Sequence, residues 1–264
     1  MNKLSDLKLE KILNDKTSGS SEILLSLNKY FLSICNNTRK LKYAVSESQK
    51  KLKHFAVTDS YLSKMKKYVE RGDVDSINDF LFRFENAENR KYQIIFEKIL
   101  RKLPAANNII TLSKSGTLIK VFKLWHRENK NLNVIIMESR PGNEGRLMAK
   151  ELLRAGLKVQ LITDAMMSLY VPEIDAAIVG ADIILKNKNV VNKTGSKALA
   201  VLCKYYKKPF YVLATKSKFV NRSKYKLKED ECNNIWDYKH PNLKIKNFPF
   251  EEIEKKFITS IITE

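Results

Sequence analysis

The most constraining feature of the sequence is a change of texture at Pro104, after which short, almost purely apolar runs alternate with helical patterns. Asn108–Leu112, Val134–Met137, Val159–Ile162, Ala176–Val179 and Pro209–Ala214 have strand length and composition. Between them, 117–125, 146–155, 165–170 and 197–206 have helical composition, and Val190-Val191 adds one more short strand-like run. Runs that are apolar throughout, rather than alternating with polar residues, belong to strands covered on both faces, and β alternating with α means a parallel sheet. The expected fold is therefore α/β, with a doubly wound, Rossmann-like domain over residues 106–264.

Residues 1–105 read differently. Apolar residues recur at three-to-four spacing through 23–34, 61–69 and 77–84, with few glycines and no β-branched alternation, so an all-helical N-terminal domain of four or five helices is expected. Caps and turns are expected at 14–21, 36–38 and 72–73, and Thr58, Asp59 and Ser60 offer N-cap side chains.

Ligands of open parallel sheets bind outside the carboxyl ends of the strands, which turns a list of motifs into a list of positions. Ser113-Lys114-Ser115-Gly116 follows the first strand, Glu138 to Arg146 the second, Thr163-Asp164 the third and Gly180-Ala181-Asp182 the fourth. One rim thus gathers Ser113, Lys114, Ser115, Arg140, Arg146, Asp164, Asp182 and Lys193. Arginines suit bidentate recognition of phosphate, hydroxyls and lysines add donors, and a carboxylate among cations can bind sugar hydroxyls or move a proton. The set fits a phosphorylated small molecule, although each residue taken alone is equally consistent with a salt bridge or a cap.

The turn Asn192-Lys193-Thr194-Gly195-Ser196 supports two readings. Open N–H groups at the following helix start, with Lys193 and the Ser196 hydroxyl, would hold a phosphate. Alternatively Thr194 or Ser196 simply caps the helix. Ser18-Gly19-Ser20-Ser21 before the helix near Ile23 presents the same pair of options. No GxGxxG follows the first strand, so a dinucleotide is not favoured and no cofactor is expected.

Charge and cysteines narrow the classes. The formal charge of +20 invites a polyanion, but the excess is spread, +8 over 1–105 and +12 over 106–264, and no RNP, zinc-finger or basic-zipper pattern accompanies it. A specific nucleic-acid site is not indicated. Cys35, Cys203 and Cys232 lie far apart without CxxC spacing, so neither a disulfide framework nor a metal site is expected. The charged start MNKLSDLKLEKIL and the absence of any apolar run of eighteen residues argue against a signal sequence or membrane span, and for a cytoplasmic protein.

The run ESRPGNEGRLMAKELLRAGLKVQLITDA, followed by VGADIILKNKNVVNKTGSKALAVLCKYYKKPFYVLATKSKFV, resembles the alpha, beta and delta regulatory subunits of translation initiation factor 2B and their archaeal relatives. That superfamily includes ribose-1,5-bisphosphate isomerase and 5-methylthioribose-1-phosphate isomerase. The resemblance runs from about Ile109 to Val220, with weaker echoes at 248–251, 261–264 and Ser18 to Ser21. It implies a helical domain on a Rossmann-like domain that dimerises, and a sugar phosphate or nucleotide as ligand. Family phosphate and sugar contacts fall on Ser113, Ser115, Arg140, Arg146, Asn192 and Lys193, and more faintly on Ser18, Gly19 and Ser20.

The superfamily's isomerases use a cysteine in the first turn and the aspartate of the GAD motif. Asp182 matches the aspartate, whereas Ser113 stands where the cysteine would be. A thiol ionises near pH 8.5 and a serine hydroxyl is several units less acidic, so the serine needs a base that the rim turns, lacking histidine, do not offer. Losing a general acid or base costs about 10²–10⁴-fold in rate. Ser113-Lys114-Ser115 resembles instead the Ser-Arg-Ser of the regulatory alpha subunits. The expectation is a regulatory, non-catalytic homo-oligomer that binds a phosphorylated metabolite and docks on translation initiation factor 2; a sugar-phosphate aldose–ketose isomerase using Asp182 is the alternative, and a nucleic-acid-binding protein, resting on charge alone, comes third.

Overall fold

The computed structural model describes residues 6–15, 20–52, 56–231 and 235–264. Five helices come first: α1 (Leu7–Leu13), α2 (Ser20–Ile34), α3 (Thr38–Lys51), α4 (Ala56–Arg71) and α5 (Val74–Lys102). The residues fall into two compact units, Met1–Arg90 and Lys91–Glu264, with the divide inside α5.

In the first unit the three-to-four spacing resolves into one apolar core, with Leu27 and Phe31 of α2, Leu41 and Ala44 of α3, Leu62 and Met65 of α4, and Ile77 and Leu81 of α5 all but sealed from water. Each such side chain contributes about 1.5–3 kcal/mol through burial. The fully buried Asn28 is satisfied within it: its amide donates to Leu81 O at 3.1 Å and its oxygen accepts from the Tyr61 hydroxyl at 2.6 Å. Asp6 caps α1 and Asn37 caps α3. Thr58, Asp59 and Ser60 do not cap anything, because α4 is already under way at Ala56 and carries them in its first turns.

The second unit is built on a six-stranded sheet in the order β3-β2-β1-β4-β7-β9, every neighbouring pair parallel. The strands are β1 (Asn108–Leu112), β2 (Asn133–Met137), β3 (Lys158–Ile162), β4 (Ala176–Val179), β7 (Phe210–Leu213) and β9 (Ser260–Ile262). Successive residues of each strand point to opposite faces, and both faces are covered except at the edge strand β3, where only Ile162 is buried and Leu161 is 46% exposed. Ile109, Val134, Ile136 and Ile178 pack with α6 (Gly116–Glu128), α7 (Glu144–Leu153) and the end of α5. Ile110, Ile135, Ala177 and Val212 pack on the other face with Leu199, Ala200 and Cys203 of α9 (Ser196–Tyr205).

The remaining strands leave this sheet. β5 (Ile183–Ile184), β6 (Val190–Lys193) and β8 (Phe250–Ile253) form a separate antiparallel sheet with β6 in the middle. A short helix α8 (Met167–Tyr170) follows β3. Because β1 and β4 are neighbours from which the chain leaves in opposite directions, their carboxyl ends frame a crevice at the switch point of the sheet. Cys35 and Cys203 are buried free thiols, and Cys232 lies outside the described residues. No helix among the described residues is long and apolar enough to cross a membrane.

Candidate functional site

The floor of the crevice is made where the β1 and β4 turns press together. Ser113 leaves β1 with φ 60°, and its N–H donates to the Ser139 hydroxyl at 2.6 Å. Ser115 is the N-cap of α6, its oxygen accepting from Leu118 N. Gly180 lies so close that a Cβ there would stand 2.7 Å from Ser115 Oγ, which is why the GAD turn begins with a residue that has no side chain.

The wall from β2 is held by a carboxylate. Ser139, φ 66° and 1% exposed, and Arg140 give their N–H groups to the two oxygens of Asp164, at 2.8 and 2.7 Å. A charged acceptor for two backbone donors fixes a loop more firmly than neutral bonds would. The loop then enters α7 through Asn143 in the left-handed region (φ 58°). Gly145 sits so tightly on β2 that a Cβ would fall 2.0 Å from Met137 O. Arg146 is drawn back onto Glu138, 2.6 Å between Nη2 and Oε2, while the Arg140 side chain projects into solvent.

The small sheet supplies the third side. Lys193, the last residue of β6, is only 7% exposed at its side chain and pairs with Glu144 at 2.7 Å. An ammonium so far from water requires such a partner. Asn192 donates to the Ser196 hydroxyl at 2.9 Å, and that hydroxyl donates to Lys193 O at 2.6 Å. The α9 N-terminus differs from both sequence readings. Neither Thr194 nor Ser196 caps it, and two of the N–H groups at this start are already taken: Glu251 of β8 accepts from Gly195 N at 2.8 Å and Lys197 N at 2.9 Å. The position of an anion at this helix end is filled by the protein's own carboxylate.

Asp182 follows the β4 turn, its N–H bonded to Val191 O at 2.9 Å. Asp182 is exposed, yet the protein around its carboxyl takes enough water from it to raise its pKa, with Lys218 and Lys193 pulling the other way. A carboxyl in that state can hold a proton at higher pH than usual, or accept and return one.

Hydrogen bonds and close packing therefore bring together Ser113, Ser115, Arg140 and Asp164 around the β1, β2, β3 and β4 turns, and Lys193 joins them through Glu144. Arg146 is paired away and Asn192 is engaged within its own loop. Ser18 and Gly19 lie outside the described residues, and Ser20 opens α2 in the other unit. The sequence reading missed Ser139, Glu138, Glu144, Lys218 and Glu251 as structural partners of the site. Only the position of Glu138, Ser139 and Glu144 inside the turn after β2 could have signalled any of them.

A model of the Initiation factor 2 subunit family matches residues 7–264. A protein of Pyrococcus horikoshii named as translation initiation factor eIF-2B subunit 2-like is 36% identical over 186 residues, 70% of this chain but 65% of that relative. The ribose 1,5-bisphosphate isomerase of Methanocaldococcus jannaschii is 28% identical over 97% of this chain and 88% of its own length. The crystal structure of the translation initiation factor eIF-2B of Pyrococcus horikoshii is similar with a TM-score of 0.65 at 26% identity, covering 100% of this chain and 96% of that one.

Proposed function

We propose a function from the premise that this chain belongs to the Initiation factor 2 subunit family: it is a regulatory member that binds a sugar phosphate or nucleotide without converting it. The observation that carries the reading is Ser113. It stands at the head of the first turn with its backbone bonded to Ser139, and no histidine lies in the rim turns to activate its hydroxyl. Arg140 and Lys193 supply the charge for a phosphate, Ser113 and Ser115 the hydroxyl donors, and Asp182 an acceptor for sugar hydroxyls. Arg146 and Asn192 join only if the ligand draws them from Glu138 and Ser196. Residues 106–264 act in this reading as the ligand-binding and dimerisation domain and 1–105 as the helical domain, in a cytoplasmic homo-oligomer that docks on translation initiation factor 2.

Titration calorimetry with sugar phosphates and nucleoside monophosphates tests it. Binding that Arg140→Ala abolishes supports the reading, and silence across the panel sinks it. Light scattering tests the oligomer: a monomer at all concentrations removes that part.

A second reading, an aldose–ketose isomerase, draws on one observation, the raised pKa of Asp182. Asp182 would then move the proton while Ser113 positions substrate. Conversion of ribose 1,5-bisphosphate to ribulose 1,5-bisphosphate, lost in Asp182→Asn, would place this reading first.

A further inference from the structure

Between β7 and β8 the described residues of 221–247 make an excursion with no helix or strand. Residues 221–247 hold seven Lys/Arg against four Asp/Glu. Within it Trp236 and Tyr238 are 54% and 50% exposed, a large apolar area to leave in water. These rings are ordered against each other. Trp236 and Tyr238 stack with centroids 4.8 Å apart and planes 25° from parallel, and Tyr238 and His240 follow at 6.4 Å and 11°. Alternation along an extended segment puts residues 236, 238 and 240 on one side.

The ladder is braced. Asn242 N donates to His240 Nδ1 at 3.1 Å and Leu243 N to His240 O at 2.9 Å, closing a turn that fixes the last ring. At the base, Asp230 N bonds Asn247 O at 2.9 Å, and the buried Asn247 amide bonds Glu231 O at 2.8 Å, so the two arms of the excursion are tied together. Lys239 and Lys244, both exposed, flank the rings.

We propose that this excursion is a platform for single-stranded nucleic acid, binding without sequence preference and independently of the small-molecule site. Aromatic faces stack on any base and lysines hold the phosphates, the combination that single-strand binders use. The Tyr238 and His240 rings are near-parallel, 11° apart with centroids at 6.4 Å, so they offer a row of similarly oriented faces on which bases can stack. A bilayer is the weaker occupant, because these rings face one another instead of splaying into an apolar surface, and Asp237 interrupts the lysines.

The test uses the full chain and a fluorescein-labelled oligoadenylate RNA of about ten nucleotides, within the site size of such platforms. The chain has two tryptophans, and Trp125 is 1% exposed, so quenching reports on Trp236. Expected are anisotropy binding with quenching, about 5–150-fold weaker in Tyr238→Ala, and near wild type in Tyr238→Phe, which keeps the ring. Lys244→Ala should lower the salt slope by about 0.7. Circular dichroism checks that these surface variants stay folded. Three results would each overturn the proposal: Tyr238→Ala binding like wild type, inorganic polyphosphate competing as well as unlabelled RNA, or phosphatidylserine vesicles quenching Trp236 while RNA does not.

Discussion

Exchanging Glu144 for Gln keeps the shape of the side chain and an oxygen that can accept from Lys193, and removes only the charge. Lys193 would then hold an ammonium, 7% exposed at its side chain, without its hydrogen-bonded counter-charge and with only the coulombic pull of Asp182 left. Breaking a fully buried pair from one side costs about 3–5 kcal/mol. Because Glu144 is 33% exposed and the amide still accepts, about 2 kcal/mol is the expected loss. For a unit of this size that lowers Tm by about 4–8 °C, readable by thermal unfolding followed by circular dichroism. The double variant Glu144→Gln with Lys193→Met should recover part of the loss, since a neutral pair leaves no buried charge unpaired. Phosphate supplies the missing charge, so at about 100 times its Kd it should restore about 2.7 kcal/mol or more to the single variant. A Tm within about 1 °C of wild type would show that Lys193 is already solvated, and equal stabilisation of wild type and Lys193→Met by phosphate would refute its role as an anion ligand.

Glu251→Ala takes the acceptor from Gly195 N and Lys197 N and should cost about 1–2 kcal/mol, with hydrogen exchange accelerating first at the start of α9. Gly145→Ala would force a Cβ into Met137 O and should destabilise by about 3 kcal/mol or fail to fold, measured by denaturant titration. For Asp182 the sign runs opposite to the usual acid. Its folded pKa lies above the ordinary 3.8, so ionisation costs stability above the folded pKa, and the cost disappears as pH falls through that value. Asp182→Asn should therefore have a higher Tm than wild type at pH 7, with the difference shrinking on acidification; a gap that widens instead would show that Lys193 and Lys218 dominate.

The parallel sheet was legible because its strands are covered twice, so Val134 to Met137 could only be apolar, and the order of turns on the rim followed from that. The small antiparallel sheet was not. Phe250–Ile253 is half polar and pairs with a strand nearly sixty residues earlier, a relation that local periodicity does not carry. The same distance hid the cap of α9: a Gly-Ser turn before a helix advertises open N–H groups, and nothing nearby in the chain says that Glu251 fills them. Lys193 was recognised as a cation of the site but not as one half of a pair with Glu144, which comes from a different turn. At Thr58 to Ser60 the cluster of cap-forming residues misled, since hydroxyls are also tolerated inside a first helical turn.

The pairing of β6 with β8 sets an order of events during synthesis. A ribosome that has just added Lys193 still has roughly sixty residues to add before Glu251 emerges, about 3–12 s at about 5–20 residues per second. Throughout that interval α9 has no carboxylate at its start and β6 has a bare edge, so the nascent chain presents a cation and free amides to any anion or chaperone within reach. The finished molecule closes that window itself, with β8 of its own chain.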